Sequence, residues 1–368
     1  MNQPPDTPTV WARAHGETLG EATLRETPED FRVWEISAAQ PTGSGEHLLL
    51  EIRKTGANTD WVAGRLARLA GIKRTAVGFA GQKDRHAVTE QWFSLHMPGC
   101  EDPPFGDWAI EGVEILSAVR HDRKLRAGAL LANRFEIVLR DLTVDRAAMT
   151  PRLQTLRQAG FPNYFGDQRF GRQGENLRRG TALLVDRVRM RKGNARGMAV
   201  SAVRSFLFNS ILDARVRTET WNRIVAGEQV RLDGTQSGFL AEQVSEDLQR
   251  RAVLGDIHPS GPLWGRGGLQ SATDARAAEA RAVEPYAPYL AGLEALGLKT
   301  ERRALRVVPG DLDWGFPAAD VLRLRFQLPR GAYATALLRE LVQIRDAGGP
   351  ATRAGDALDQ GLHRFSNT

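Results

Sequence analysis

Alternating apolar and polar positions fill the first third of the chain, and each run is short. Glu46–Lys54 reads as a compact apolar strand, and Ala76–Ala80 and Thr89–Met97 read as two strands around a polar loop. In Asn133–Arg140 the residues Phe135, Ile137 and Leu139 take one side and polar residues the other. Between these runs the period changes. Val62, Leu66, Leu69 and Ala70 recur at helical spacing, so Asn58–Ala70 is expected to be a helix with Asn58 or Thr59 as its cap and Gly71 as its stop.

The middle of the chain is richer in helix signals. Pro151–Ala159 is expected to be a short helix capped by Thr150, with Pro151 in its first turn and Gly160 after it. Met198–Arg217 is the longest helical pattern, with Val203, Phe206, Leu207, Ile211 and Leu212 on one face. A Gly/Pro-rich loop is expected over Gly255–Gly268, then helix again from Ala272. After Glu301 the strand period returns: Leu322, Leu324, Phe326 and Leu328 alternate with polar residues. Ala332–Ile344 is expected to close the pattern as a helix. Strands, then helices, then strands predict an α+β sheet domain interrupted by a mainly helical insertion.

The length of 368 residues suits two domains or one domain carrying an insertion. With one cysteine, Cys100, no disulfide can form within the chain, and the seven scattered histidines show no zinc-type spacing. No apolar run approaches the roughly 18–20 residues that cross a bilayer. The polar start, Met1 to Asp6, lacks the pattern of a signal peptide. A cytoplasmic protein with no membrane association is the expectation.

Charge sharpens the picture. The 50 Lys/Arg and 44 Asp/Glu leave +6. Pro151–Thr218 alone holds fourteen Lys/Arg against four acids, a local balance of +10 that leaves −4 for everything else. A field so concentrated attracts a polyanion. Thirteen of the fourteen are arginine, whose planar fork suits phosphate oxygens and stacks on bases.

The segment Gly78–Thr89 carries the densest chemistry. It sets Asp84 among Lys83, Arg85 and His86 on a Gly-containing loop between two strand signals. Neighbouring cations favour an ionised carboxylate, which can serve as nucleophile, base or metal ligand but not as a general acid. A loop salt bridge is the plain alternative. Three further segments mix aromatics with Gly, Pro and polar residues: Thr27–Val33, Gly160–Gly171 and Arg325–Thr335. The second lies inside the basic region and suits stacking on unpaired bases while phosphates are held. No phosphate-binding loop, dinucleotide fingerprint or nucleophile elbow is present. The residues by themselves lead to a cofactor-independent RNA-binding protein with a loop aspartate available for chemistry.

Taken together, five ordered blocks resemble the TruD family of tRNA pseudouridine synthases, which act on uridine 13. They are Pro28–Phe31, Gly81–Trp92, Asn133–Phe135, Pro162–Gly171, and Leu328–Thr335 with Arg339–Leu341. The resemblance runs from Arg25 to about Leu341. It implies a pseudouridine-synthase core of mixed, mostly antiparallel sheet flanked by helices, formed by residues 1–162 and 306–368. An inserted α/β domain, mainly helical, would span 163–305. It implies Asp84 as the catalytic aspartate, ion-paired with Arg25, which stands where the family carries a basic residue, often lysine. It further implies Phe135 stacking on the target base, Asn133 fixing Asp84 or the uracil, and substrate contacts from Tyr333, Lys83 and Arg169.

The implied reaction breaks the N1–C1′ bond, turns the uracil and joins its C5 to C1′. It needs no cofactor and no metal. The uridine must first leave its stack, at a cost of a few kcal/mol. The aspartate then attacks sugar or base, or takes the C2′ proton to give a glycal, and the resemblance leaves both open. The expected partner is tRNA, with no obligate protein partner and a monomeric enzyme.

Overall fold

The alternating segments assemble into one ten-stranded sheet, mostly antiparallel. The computed structural model describes residues 10–348. The polar start, His363 and the end of the region assigned to the catalytic core lie outside the described residues. The chain begins with β1 (Glu21–Leu24), β2 (Phe31–Ser37) and β3 (His47–Thr55), then helix α1 (Thr59–Leu69). Next come β4 (Val77–Phe79), β5 (Val88–His96), β6 (Val113–His121), β7 (Leu130–Arg140), α2 (Arg146–Ala159) and the short β8 (Phe161–Pro162). β3 pairs antiparallel with both β5 and β6, β2 pairs parallel with β5, and β7 pairs antiparallel with β2.

Two apolar clusters hold the sheet. Leu48, Leu50 and Ile52 of β3 meet Phe93 and Leu95 of β5 beneath Val62, Ala63 and Leu66 of α1. Met149, Leu153 and Leu156 of α2 cover Ile137 and Leu139 of β7 in the second cluster. Asn58 caps α1 by accepting from the Asp60 amide at 2.9 Å. α2 differs from expectation. It starts a turn and a half early, capped by Asp145, whose Oδ1 accepts from the Ala148 amide at 2.8 Å. Pro151 therefore sits inside the helix, and the rule that proline opens a helix misplaced its start.

Beyond β8 the chain forms α3 (Glu175–Leu184), α4 (Asn194–Arg217), β9 (Glu228–Leu232), β10 (Gly238–Ala241), α5 (Glu246–Leu254), β11 (Ile257–His258), β12 (Ser260–Leu263), α6 (Thr273–Val283), α7 (Ala287–Ala295) and β13 (Glu301–Ala304). It returns through β14 (Arg306–Val307), which pairs antiparallel with β8, so exit and re-entry lie side by side. α4 is buried on more than the single face its pattern suggested. Phe206, Leu207 and Ile211 pack with Leu177, Tyr289 and Leu293, while Phe208 and Leu212 pack with Tyr164 and Phe165. The expected loop Gly255–Gly268 contains β11 and β12. Gly261 is what permits this: a Cβ there would stand 3.2 Å from the Phe208 ring, so the missing side chain lets the strand lie on α4.

The last elements are β15 (Gly310–Ala318), β16 (Val321–Pro329), α8 (Ala334–Leu338) and β17 (Gln343–Asp346). β16 pairs with β7 in a long register that sets Leu328 opposite Asn133. The helix expected over Ala332–Ile344 stops at Leu338. A turn follows over 339–341, and Gln343 and Ile344 enter β17, parallel to β1, where ladder hydrogen bonds replace helical ones. That switch brings Asp346 beside Arg25.

Candidate active site

Asp84 lies on the turn from β4 to β5, and side chains from three elements grip the backbone around it. The Gln91 amide of β5 donates to the Gly81 carbonyl at 3.1 Å. The Lys83 amide donates to the hydroxyl of Thr59, the first residue of α1, at 3.0 Å, and that hydroxyl donates on to Gln91 Oε1 at 3.1 Å. Lys54 of β3 donates from Nζ to the Asp84 carbonyl at 2.8 Å. The Gly128 amide, before β7, donates to the Ala80 carbonyl at 2.6 Å. A loop rich in glycine and charge is thereby held rigid, leaving the Asp84 side chain 37 % exposed.

Arg25 Nη1 stands 3.7 Å from Asp84 Oδ1, an ion pair too long for a hydrogen bond. The fork itself grips Asp346, with Nε at 2.9 Å from Oδ1 and Nη2 bonded to Oδ2. Burial works against the guanidinium charge, but the hydrogen bonds and charge of Asp346, with Asp84 behind it, raise the Arg25 pKa above its ordinary value. Arg25 adopts φ 58°, a left-handed conformation that costs a residue with a side chain of order 1 kcal/mol or more. The turn takes the chain from β1 to Thr27 and Asp30, which cap each other. Burial of the Asp30 carboxylate would raise its pKa, but the Arg140 guanidinium and the Thr27 amide outweigh it and hold the carboxyl below the usual range. The Pro28–Phe31 block is therefore a scaffold for Arg25.

Lys83 turns away from solvent. Its Nζ lies 2.6 Å from Glu35 Oε2 of β2, with both side chains buried. Glu35 is directly opposite Asn133 of β7. Glu35 Oε1 and Asn133 Oδ1 are both buried without a hydrogen-bond partner among the described residues. Phe135 lies two residues along the same face, in the core, stacked on Phe326 with centroids 5.3 Å apart.

Tyr333 and Arg169 meet each other elsewhere. Arg169 Nη2 donates to the Tyr333 hydroxyl at 2.7 Å, and its guanidinium lies over the Phe165 ring. Arg303, over the same ring at 4.1 Å, donates to the Gly331 carbonyl at 3.0 Å. The segment from Gly331 to Tyr333 follows the end of β16 that pairs with the start of β7. This second cluster thus lies off the same end of the sheet as Asn133.

A family model described as tRNA pseudouridine synthase D (TruD) matches residues 15–190 and 188–341. The chain belongs to the tRNA pseudouridine synthase D family. It is 47 % identical over 340 residues to the tRNA pseudouridine synthase D of Methylococcus capsulatus, covering 92 % of this chain and 96 % of the relative. Against that of Nitrosococcus oceani the identity is 46 % over 334 residues, covering 90 % and 93 %. A solved Methanosarcina mazei structure described as a tRNA pseudouridine synthase D superposes with a TM-score of 0.67 at 21 % identity. It covers 92 % of this chain and 98 % of its own, a likeness of fold.

Several family blocks hold the framework together. Glu340 is fully buried and accepts from the Ala14 and His15 amides at 2.8 and 3.2 Å, and Arg339 grips the Trp11 carbonyl. Lys54, Glu35 and Asp346 bear on the Asp84 loop and were not singled out in the sequence. For Lys54 a signal existed. Leu48, Leu50, Ile52 and Lys54 fall on one face of β3, so the alternation itself sends a lysine into the core. Asp346 gave none, because it lies just beyond the segment expected to be helix, Ala332–Ile344, and no strand is expected there.

Proposed function

We propose that the chain isomerises uridine 13 of tRNA to pseudouridine without a cofactor, with the Asp84 carboxylate as the catalytic group. The observation that carries this reading is Asp84 itself: an accessible carboxylate on a backbone pinned by Lys54, Thr59 and Gln91, with the Arg25 cation 3.7 Å away. A fixed carboxylate beside a fixed positive charge can meet an everted ribose with little reorganisation.

Arg25 serves electrostatically, since its fork is committed to Asp346 and arginine does not share protons at neutral pH. Asn133 supplies the free acceptor that a uracil N3–H would satisfy. Phe135, buried and stacked on Phe326, is the aromatic that stacks on the base in this reading. Lys83 acts through Glu35, while Tyr333 and Arg169 hold RNA on the insertion side. The enzyme works as a cytoplasmic monomer in this reading.

The test maps pseudouridine in tRNA after incubation with the wild-type chain and with Asp84→Asn. The wild type converts position 13, and the variant binds tRNA yet forms no pseudouridine. Normal conversion by the variant, or magnesium-dependent strand cleavage by the wild type, would overturn the reading.

A further inference from the structure

The insertion contains a cavity of about 620 Å³ beside the N-terminal turns of α4, of a size that takes a small organic ligand. Its lining shares no residue with the Asp84 cluster. Val200, Leu263, Leu296 and Leu298 give it apolar walls, and the Phe165 ring closes one side. Five cations face it, namely Arg169, Lys192, Arg196, Arg204 and Arg303, against Glu301 as the one carboxylate in its lining.

Two of those cations have unspent donors. Lys192 and Arg196 form no ion pair or side-chain hydrogen bond among the described residues, and Lys192 is exposed. An anionic ligand would meet them without displacing a protein partner. Burial also pushes the Arg303 pKa down to about 10 and lowers that of Arg204, the mark of cations short of counter-charge.

We propose that this cavity seats one unstacked nucleotide of tRNA, distinct from the uridine that reacts, with its base on the apolar wall and its phosphate on the arginines. The inference rests on the proposed action on tRNA. A duplex exceeds a space of about 620 Å³, and a purely apolar ligand would leave Lys192 and Arg196 without a counter-charge. The seat is also wired to the core: Arg169 holds the Tyr333 hydroxyl and Arg303 the Gly331 carbonyl. An occupant that engages these arginines therefore bears on the segment beside Asn133, which lets one bound nucleotide register the target uridine.

Gly197 provides the test. It lies in α4 on the lining, and a Cβ built there meets nothing within 4 Å. Gly197→Phe fills the mouth at a helical position where losing glycine helps the helix, so folding should survive, as a melting curve will show. The measurement is steady-state pseudouridine formation on tRNA, with binding of uridine 5′-monophosphate measured separately. The expected result is a KM raised about tenfold with kcat unchanged, matching the loss of one stacked base. Arg196→Glu should raise KM in the same way. An unchanged KM in a folded Gly197→Phe variant overturns the proposal. So does loss of free nucleotide binding alone, which would make the cavity a mononucleotide site. If the wild type itself forms no pseudouridine, the proposed function fails instead, and the two failures are separable.

Discussion

Lys54 donates from Nζ to the backbone carbonyl of Asp84 at 2.8 Å, and no part of the lysine reaches solvent. Its carboxylate neighbourhood is the Asp84 side chain beyond that carbonyl, while Lys83 opposes it. Burial, the largest cause, together with Lys83 outweighs the attraction of Asp84 and pushes the Lys54 pKa down to about 8. A lysine buried at such a cost holds the loop at Asp84 itself.

Lys54→Met should therefore separate stability from activity. Activity is expected to fall about tenfold to a hundredfold as the Asp84 backbone loses its anchor. Folding stability near pH 7 should be unchanged or higher, because the variant buries no charge. The pH dependence has a definite sign. From about pH 8 to about 10.5 the unfolded chain binds this proton more tightly than the native one, so its contribution to stability rises with pH. The burial penalty, roughly 3 kcal/mol below that window, is relieved across it. Urea unfolding at pH 7 and pH 9.5 should show the wild type gaining on the variant. A gap that widens with pH would refute the assignment.

Arg25 is shared between Asp346, which it grips with two hydrogen bonds, and Asp84, which it only faces. Asp346→Ala removes the grip and frees the guanidinium to close on Asp84. Stability should fall by about 1–3 kcal/mol, and kcat should fall with it as the carboxylate becomes occupied. Arg25→Lys, which keeps the charge, should retain more activity than Arg25→Ala. Equal kcat values for those two variants would leave Arg25 without an electrostatic role.

The path from sequence to site was uneven, for reasons visible in particular residues. Leu322 to Leu328 and Phe135 to Leu139 alternate because one face of each strand is buried, and that period can be read without coordinates. Asp84 stands out in the sequence because its neighbours are charged, and the structure places Arg25 3.7 Å from it. The partner of Arg25 was not legible. The helical pattern was carried on to Ile344, and only pairing with β1, more than 300 positions away, makes Gln343–Asp346 the strand β17 and delivers Asp346. For Lys83 the family resemblance implies a substrate contact. Its pairing with Glu35 depends on β2 passing beneath the loop, which no local pattern reveals.

Asn133 Oδ1 is buried and has no hydrogen-bond partner among the described residues. Such an acceptor costs about 1–3 kcal/mol, so Asn133→Leu should be neutral or stabilising. The same change should raise KM or lower kcat for tRNA, because uracil loses a partner for N3–H. Thermal melts beside steady-state kinetics decide it. A clear drop in melting temperature would mean that the amide serves the fold.

The basic tract makes a prediction about salt. Arg172, Arg187 and Arg189 are exposed and form no ion pair among the described residues, whereas Arg179 is engaged by Glu175. Reversing these three to Glu should flatten the slope of log K for tRNA against log salt by about 2, at about 0.7–0.9 per lost phosphate contact. An unaltered slope would turn this face of the insertion away from RNA.

The Lys83–Glu35 pair is the costliest arrangement near the site, since two charges leave water together. Removing one partner strands the other. Glu35→Gln should destabilise by about 3–5 kcal/mol, and Lys83→Met by a similar amount. The double variant Glu35→Leu/Lys83→Met removes both charges and should recover most of that loss. A double-mutant cycle measured by urea unfolding will then give a large coupling energy. Activity should not recover with stability, because the pair also fixes the residue preceding Asp84. If the double variant regained full turnover, the pair would be a packing device with no bearing on how the carboxylate is presented.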